Sequence, residues 1–167
     1  MRFSTLWASA VALLLLGGCA LKEYERSEPK LITLKTQQLR YNDVGFIRTG
    51  ENGVQAELFS AGQVVERFEI GRLVCVTKGC MTKSAFNGDY LHPDYPDALL
   101  QNVLCGQPIF DGEGRSEVTG GFTQQIENTE MAIDYRVVDG ETEFRDRRNR
   151  ILIRIRDLPQ GVQNDRP

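Results

Sequence analysis

From Leu39 onward, apolar side chains recur at every second position, in short segments broken by Gly, Asn and Asp. A period of two sends alternate residues to opposite faces of an extended chain, so this spacing predicts antiparallel strands joined as hairpins with one buried face each. Val54, Ala56 and Leu58 share such a face against Gln55 and Glu57, and Val64, Phe68 and Ile70 share the next one after the turn Ser60-Ala61-Gly62. Between Tyr41 and Phe46 the alternation slips by one at Asn42-Asp43, which predicts a bulge there. Leu73-Val74-Cys75-Val76 is apolar on both sides, as a central strand covered above and below would be. The period returns in Phe122, Gln124 and Ile126, in Met131, Ile133, Tyr135 and Val137, in Thr142 and Phe144 after Asp139-Gly140, and in Ile151, Ile153 and Ile155.

One stretch breaks this rhythm. Over 96–105, Leu99, Leu100, Val103 and Leu104 fall on one helical stripe, with Pro96 suited to a first turn, Gly106 to the position past the end, and Pro108 barring continuation. A wide twisted sheet must curl and cover its apolar face. The expected fold is therefore mainly β (α+β): a curled antiparallel sheet or half-barrel of about eight strands, with one amphipathic helix packed across it. Phe46, Phe68, Leu99, Val103, Phe122 and Tyr135 are the side chains expected to line an apolar pocket under that helix; equally, Phe46, Phe68, Phe122, Ile126, Tyr135 and Phe144 would simply fill a core.

The N-terminus carries a different message. Arg2, the apolar run Leu6–Leu16 and Gly17-Gly18-Cys19 form an export signal whose run is too short for a membrane span, which needs roughly 20 residues. Leu16-Gly17-Gly18-Cys19 resembles the lipobox of bacterial lipoproteins. That resemblance implies cleavage between Gly18 and Cys19 and lipidation of Cys19, an anchor that holds the chain firmly to a membrane. Ala20, standing where an Asp would retain such a protein in the inner membrane, implies the outer membrane and a domain facing the periplasm. The organisation expected is a signal over 1–18, a lipidated tether over 19–30, one β-rich domain over 31–158, and a disordered tail over 159–167.

The order of elements is strands, a helix ending in Val103-Leu104-Cys105-Gly106-Gln107-Pro108, then strands ending in Asn149-Arg150-Ile151-Leu152-Ile153-Arg154-Ile155. It resembles the Lol-type outer-membrane lipoprotein receptors. The resemblance implies an incomplete barrel with a helical lid that receives lipoprotein acyl chains. The receptors present a large apolar residue on a loop between two early strands, whereas the matching turn here offers only Ala61. The alternative is a non-catalytic envelope module that binds a protein partner through sheet edges and loops. A filled interior favours the module, and an empty apolar hollow favours the carrier.

A net charge of -3 lacks the basic excess that phosphate backbones attract, so no nucleic-acid partner is expected. Neither a cofactor nor a metal is expected: there is no Gly-rich phosphate loop, nucleophile elbow or His-containing metal spacing, and the chain reads as no enzyme. The single histidine, His92, lies in the loop Leu91-His92-Pro93-Asp94-Tyr95-Pro96-Asp97 and reads as a solvated side chain. In an exported chain Cys75 and Cys80, set opposite each other by a short hairpin loop, are the expected disulfide, with Cys105 left as a thiol under the helix. Arg145, Arg147, Arg148, Arg150, Arg154 and Arg156 crowd the last strands. They read as the wet face of an amphipathic strand or, more sharply, as a contact for anionic headgroups or an acidic partner.

Overall fold

The computed structural model describes residues 24–159. The first half of the chain forms β1 (Arg26–Lys35), β2 (Arg40–Gly50), β3 (Gly53–Ser60), β4 (Gln63–Ile70), β5 (Val74–Val76) and β6 (Gly79–Met81). Two helices follow, α1 (Lys83–Tyr90) and α2 (Leu99–Leu104), with a 3-10 turn at Phe110–Gly112. Then come β7 (Arg115–Val118), β8 (Gly121–Glu127), β9 (Ala132–Val138), β10 (Glu141–Asp146) and β11 (Ile151–Asp157).

These strands make one eleven-stranded sheet in the order β6-β5-β4-β3-β2-β1-β11-β10-β9-β8-β7. Every neighbouring pair is antiparallel. Two meanders are thus sewn together by β1 against β11, from Lys30 opposite Asp157 to Lys35 opposite Leu152. The sheet does not close, because β6 and β7 are its two outer edges. The chain between them must travel from one edge to the other, and that crossing holds both helices.

Curvature follows from the position of α2. It comes within 8 Å, Cα to Cα, of both β3 and β10, although three strands lie between those two in the sheet. A flat sheet would hold them about 19 Å apart at the usual strand spacing. The sheet therefore curls round the helix, and its concave face, with α1 and α2, encloses one apolar cluster running from Ile32 and Leu58 through Phe68, Leu99 and Val103 to Tyr135, Phe144 and Ile153.

The structure departs from the pattern-based expectation in number and in detail. There are eleven strands rather than about eight, and two helices rather than one. The ordered sheet begins at Arg26, so 26–30, expected in the tether, form the start of β1. The helix expected over 96–105 is α2 alone, because the Pro96 carbonyl accepts from Leu99 N–H in a tight turn before the α pattern starts. Its end is as expected: Gly106 takes a φ of 63°, which L side chains rarely adopt.

β2 has no bulge, since its register against β1 is unbroken from Arg40 to Thr49. The apparent slip arises because the two inward positions between Tyr41 and Ile47 carry no apolar side chain: they are Asp43, which stays exposed, and Gly45. A Cβ at Gly45 would lie 2.5 Å from the Glu57 carbonyl and 2.7 Å from Ile32 Cδ1. The irregularity sits instead between Leu58 and Phe59, where Leu58 faces Glu66 but Phe59 faces Val64. Val65 is thereby the extra residue, and Val64 turns outward rather than joining Phe68 and Ile70, leaving Val64 and Val65 at 45% and 50% exposure. The apolar strand expected to be central is β5, one place from the edge, with Val74 and Val76 buried and Leu73 exposed.

Candidate functional site

Beneath α1 and α2 lies the region where a pocket was expected. Phe68, Leu99, Val103, Phe122 and Tyr135 are all buried in the cluster there. Phe46 is not: it lies on the outer face, edge-on to Phe59 at 5.8 Å and under the Arg48 guanidinium at 5.7 Å. Of those five buried side chains only Phe68 borders a void, one of about 30 Å³ walled also by Leu34, Leu39, Phe86, Leu100 and Leu104; Leu99, Val103, Phe122 and Tyr135 are packed as core. A pocket for a small organic ligand occupies about 300–1,000 Å³, and even benzene needs a cavity near 150 Å³.

Buried polar groups fasten the helical crossing to the sheet. Asp146, fully buried, accepts from Tyr95 Oη at 2.6 Å, from the Ala132 and Asn149 N–H groups and from Asn149 Nδ2. Burial alone would raise its carboxyl, but these hydrogen bonds outweigh burial and hold the pKa below the usual carboxylate value. Tyr95 moves the other way, driven far up by burial and then by its bond to Asp146 and the charge there. Gln124, on β8, holds both the N–H and the carbonyl of Ile109, and Tyr135 Oη donates to the Gln107 carbonyl at 2.8 Å. Asn87, on α1, donates to the carbonyls of Tyr95 and Pro96. Such pairing satisfies groups whose burial would otherwise be costly, and it stiffens the crossing.

The sequence signal for α1 was weak, since Ser84, Asn87 and Gly88 are poor helix formers. Thr82 was the available clue, and its Oγ1 accepts from Ala85 N–H at the helix start. His92 is less exposed than a solvated loop residue, with 18% of its side chain accessible. Its Nδ1 accepts from Asp94 N–H at 3.3 Å. One nitrogen of His92 and one carboxylate oxygen each of Asp94 and Glu130 lie within 4.8 Å of one another. Glu130, from the β8–β9 turn, could not be linked to His92 by spacing, because only the curl brings them together. Both carboxylates are exposed.

Cys75 and Cys80 are directly opposed across β5 and β6 and joined by a disulfide. Cys105 is a free thiol, exposed at the end of α2 rather than tucked beneath it. Gly18 and Cys19, the cleavage and lipidation positions, and the tail beyond Pro159 lie outside the described residues. Among the described residues no helix is long and apolar enough to cross a membrane.

The outer face carries ordered charge. Glu57, on β3, is buried between Arg48 and Arg67: Arg48 Nη1 donates to one carboxylate oxygen and Arg67 Nε to the other at 2.8 Å. Glu143, on β10, is held likewise by Arg154 at 2.7 Å and Arg145 at 3.1 Å. In both, burial works to raise the carboxyl and the flanking arginines more than reverse it, so each pKa is lowered. A third row differs. Arg40, Lys35, Leu152 and Arg145 stand opposite one another across β2, β1, β11 and β10, beside an open groove of about 510 Å³ to which Arg147 and Arg150 also contribute. Comparison of the chain with models of protein families, with curated proteins and with solved structures finds no match.

Proposed function

We propose that this chain is an outer-membrane lipoprotein, anchored through Cys19 and facing the periplasm, whose β domain is a non-catalytic module that binds a protein partner on its surface. The observation that carries the reading is the interior: the apolar void beneath the two helices is only about 30 Å³, too small for an acyl chain, and the open hollow of about 270 Å³ at the far end of α2 is walled partly by Arg26, Glu28 and Lys30, charged groups that an acyl chain avoids. The bonds that tie the helical crossing to the sheet, Tyr95 to Asp146, Ile109 to Gln124 and Gln107 to Tyr135, favour a roof that stays shut. Surface features suited to a partner are present as well. All four residues of edge strand β7 are exposed, and an edge can accept an added strand. Val64 and Val65 stand out beside the β3–β4 turn.

The second reading, a half-barrel receiving lipoprotein acyl chains, keeps specific support. The void has an almost wholly apolar wall, and α1 and α2 supply part of it through Phe86, Tyr90, Leu100 and Leu104. Lifting those helices would enlarge it. The outward Val64 and Val65 also provide the apolar tip that Ala61 alone does not.

Two measurements test the reading. Labelled palmitate should enter the expressed protein and be lost on Cys19→Ser; unlabelled wild-type protein removes the anchor from the proposal. The full chain carrying Cys19→Ser should show no saturable uptake of a fluorescent fatty acid or a diacylated peptide. Saturation in the micromolar range would replace the module by the carrier.

A further inference from the structure

The basic row has no internal explanation. Lys35 and Arg40 are cross-strand partners in register, their side chains share the outer face, and like charges so placed oppose each other. Elsewhere on that face Glu57 and Glu143 each lie between two arginines, so there the sheet itself supplies the compensation. Here the acids are already committed. Glu143 serves Arg145 and Arg154, Asp134 serves Arg147 at 2.9 Å, and Asp146 is turned inward to Tyr95. Among the described residues Lys35, Arg40 and Arg150 have no acid as partner, on a chain whose net charge is -3. The groove beside them has Leu152 as an apolar strip between cations, and arginine forks match carboxylates in a bidentate manner.

We propose that the groove lined by Lys35, Arg145, Arg147 and Arg150, with Arg40 beside Lys35 on the next strand, docks an acidic segment, rich in Asp and Glu, of the protein partner. This rests on the module reading and names the chemistry of what the module binds. Position selects a protein over a lipid surface. β1 spans ten residues from Arg26 to Lys35, about 33 Å of strand. The candidate anchor precedes Arg26, so the groove stands at the opposite end of that strand from the mooring.

The test uses the full chain with Cys19→Ser and a short fluorescein-labelled poly-glutamate peptide, read by anisotropy. Saturable binding is expected, weakening about tenfold or more as salt rises from about 0.05 to about 0.3 M. The combined reversal Lys35→Glu, Arg145→Glu and Arg150→Glu should abolish it with the β circular dichroism signal unchanged, Lys35→Gln alone should weaken it, and Arg72→Glu, on the β4–β5 turn, should leave it intact. Absence of binding below millimolar peptide, or equal loss with Arg72→Glu, overturns the proposal. So does a groove that binds phosphatidylglycerol vesicles but not the peptide, with vesicle binding lost in the triple variant. Failure here, with no uptake of the acyl probe, leaves the module reading standing; acyl saturation removes the module whatever the peptide does.

Discussion

The two faces of this sheet solve the burial of charge in different ways. On the concave face the ionisable group Asp146 is fully buried, and neutral donors surround it: the Tyr95 hydroxyl, the Asn149 amide and backbone N–H groups. On the convex face Glu57 and Glu143 are bracketed by arginines that reach water. The difference teaches where strength resides. A carboxylate removed from water and held by many short bonds is a structural fastener, and breaking it strands its donors. An ion pair at the surface is screened and carries entropy cost, so it is worth little.

Asp146→Ala should therefore have the largest effect, a loss of about 4 kcal/mol in urea unfolding, because several buried donors lose their acceptor at once. If it costs no more than a surface change, the contrast between the faces collapses. Leu104→Ala, beside the void under the helices, should cost about 3 kcal/mol through lost burial and an enlarged cavity. It also sharpens the comparison, since uptake of a small apolar probe by this variant alone would show that the wild-type interior is closed by packing. Removing the Cys75–Cys80 bond with Cys75→Ser and Cys80→Ser should cost about 2 kcal/mol, by the entropy of so small a loop, measured under non-reducing conditions.

Glu143→Gln should cost under about 1 kcal/mol, and that cost should shrink further in high salt. The pH dependence separates the faces again. The folded pKa of Asp146 lies below its unfolded value, so its contribution is complete above about pH 4 and is lost as pH falls through the depressed folded value. Acid unfolding of wild type should thus be steeper in that window than unfolding of Asp146→Asn; equal slopes would mean that folding does not shift the Asp146 carboxyl. Smallest of all, Val64→Ser with Val65→Ser should change stability by no more than about 0.5 kcal/mol, whichever partner those side chains serve.

Much of the fold was legible because alternation survives any tertiary context in which one face is buried. Val54, Ala56 and Leu58, then Ile151, Ile153 and Ile155, are inward and buried as their spacing says. Two of the turns were legible too, as Ala61-Gly62 and Asp139-Gly140 both adopt positive φ at each residue, the geometry a two-residue hairpin turn requires. Where the reading failed, a local pattern carried two meanings. Gly45 looked like a slipped register although it fills an inward slot, and Val64 looked inward until the Phe59 bulge turned it out. Of the pocket side chains, Phe46 was misplaced by that same apparent slip, while the remaining five share the buried cluster.

The sequence by itself determined what neighbouring residues decide: strand periodicity, hairpin turns, the apolar stripe of α2 and the pairing distance of Cys75 and Cys80. Only the tertiary structure decided the joining of β1 to β11, the filling of the concave face, the approach of Glu130 to His92, and the lining up of Arg40, Lys35 and Arg145 across three neighbouring pairings. The physical reason is separation along the chain. A period or a turn is fixed by contacts a few residues apart, whereas register between distant strands and the volume left by a curled sheet are set only when every side chain competes for the same space.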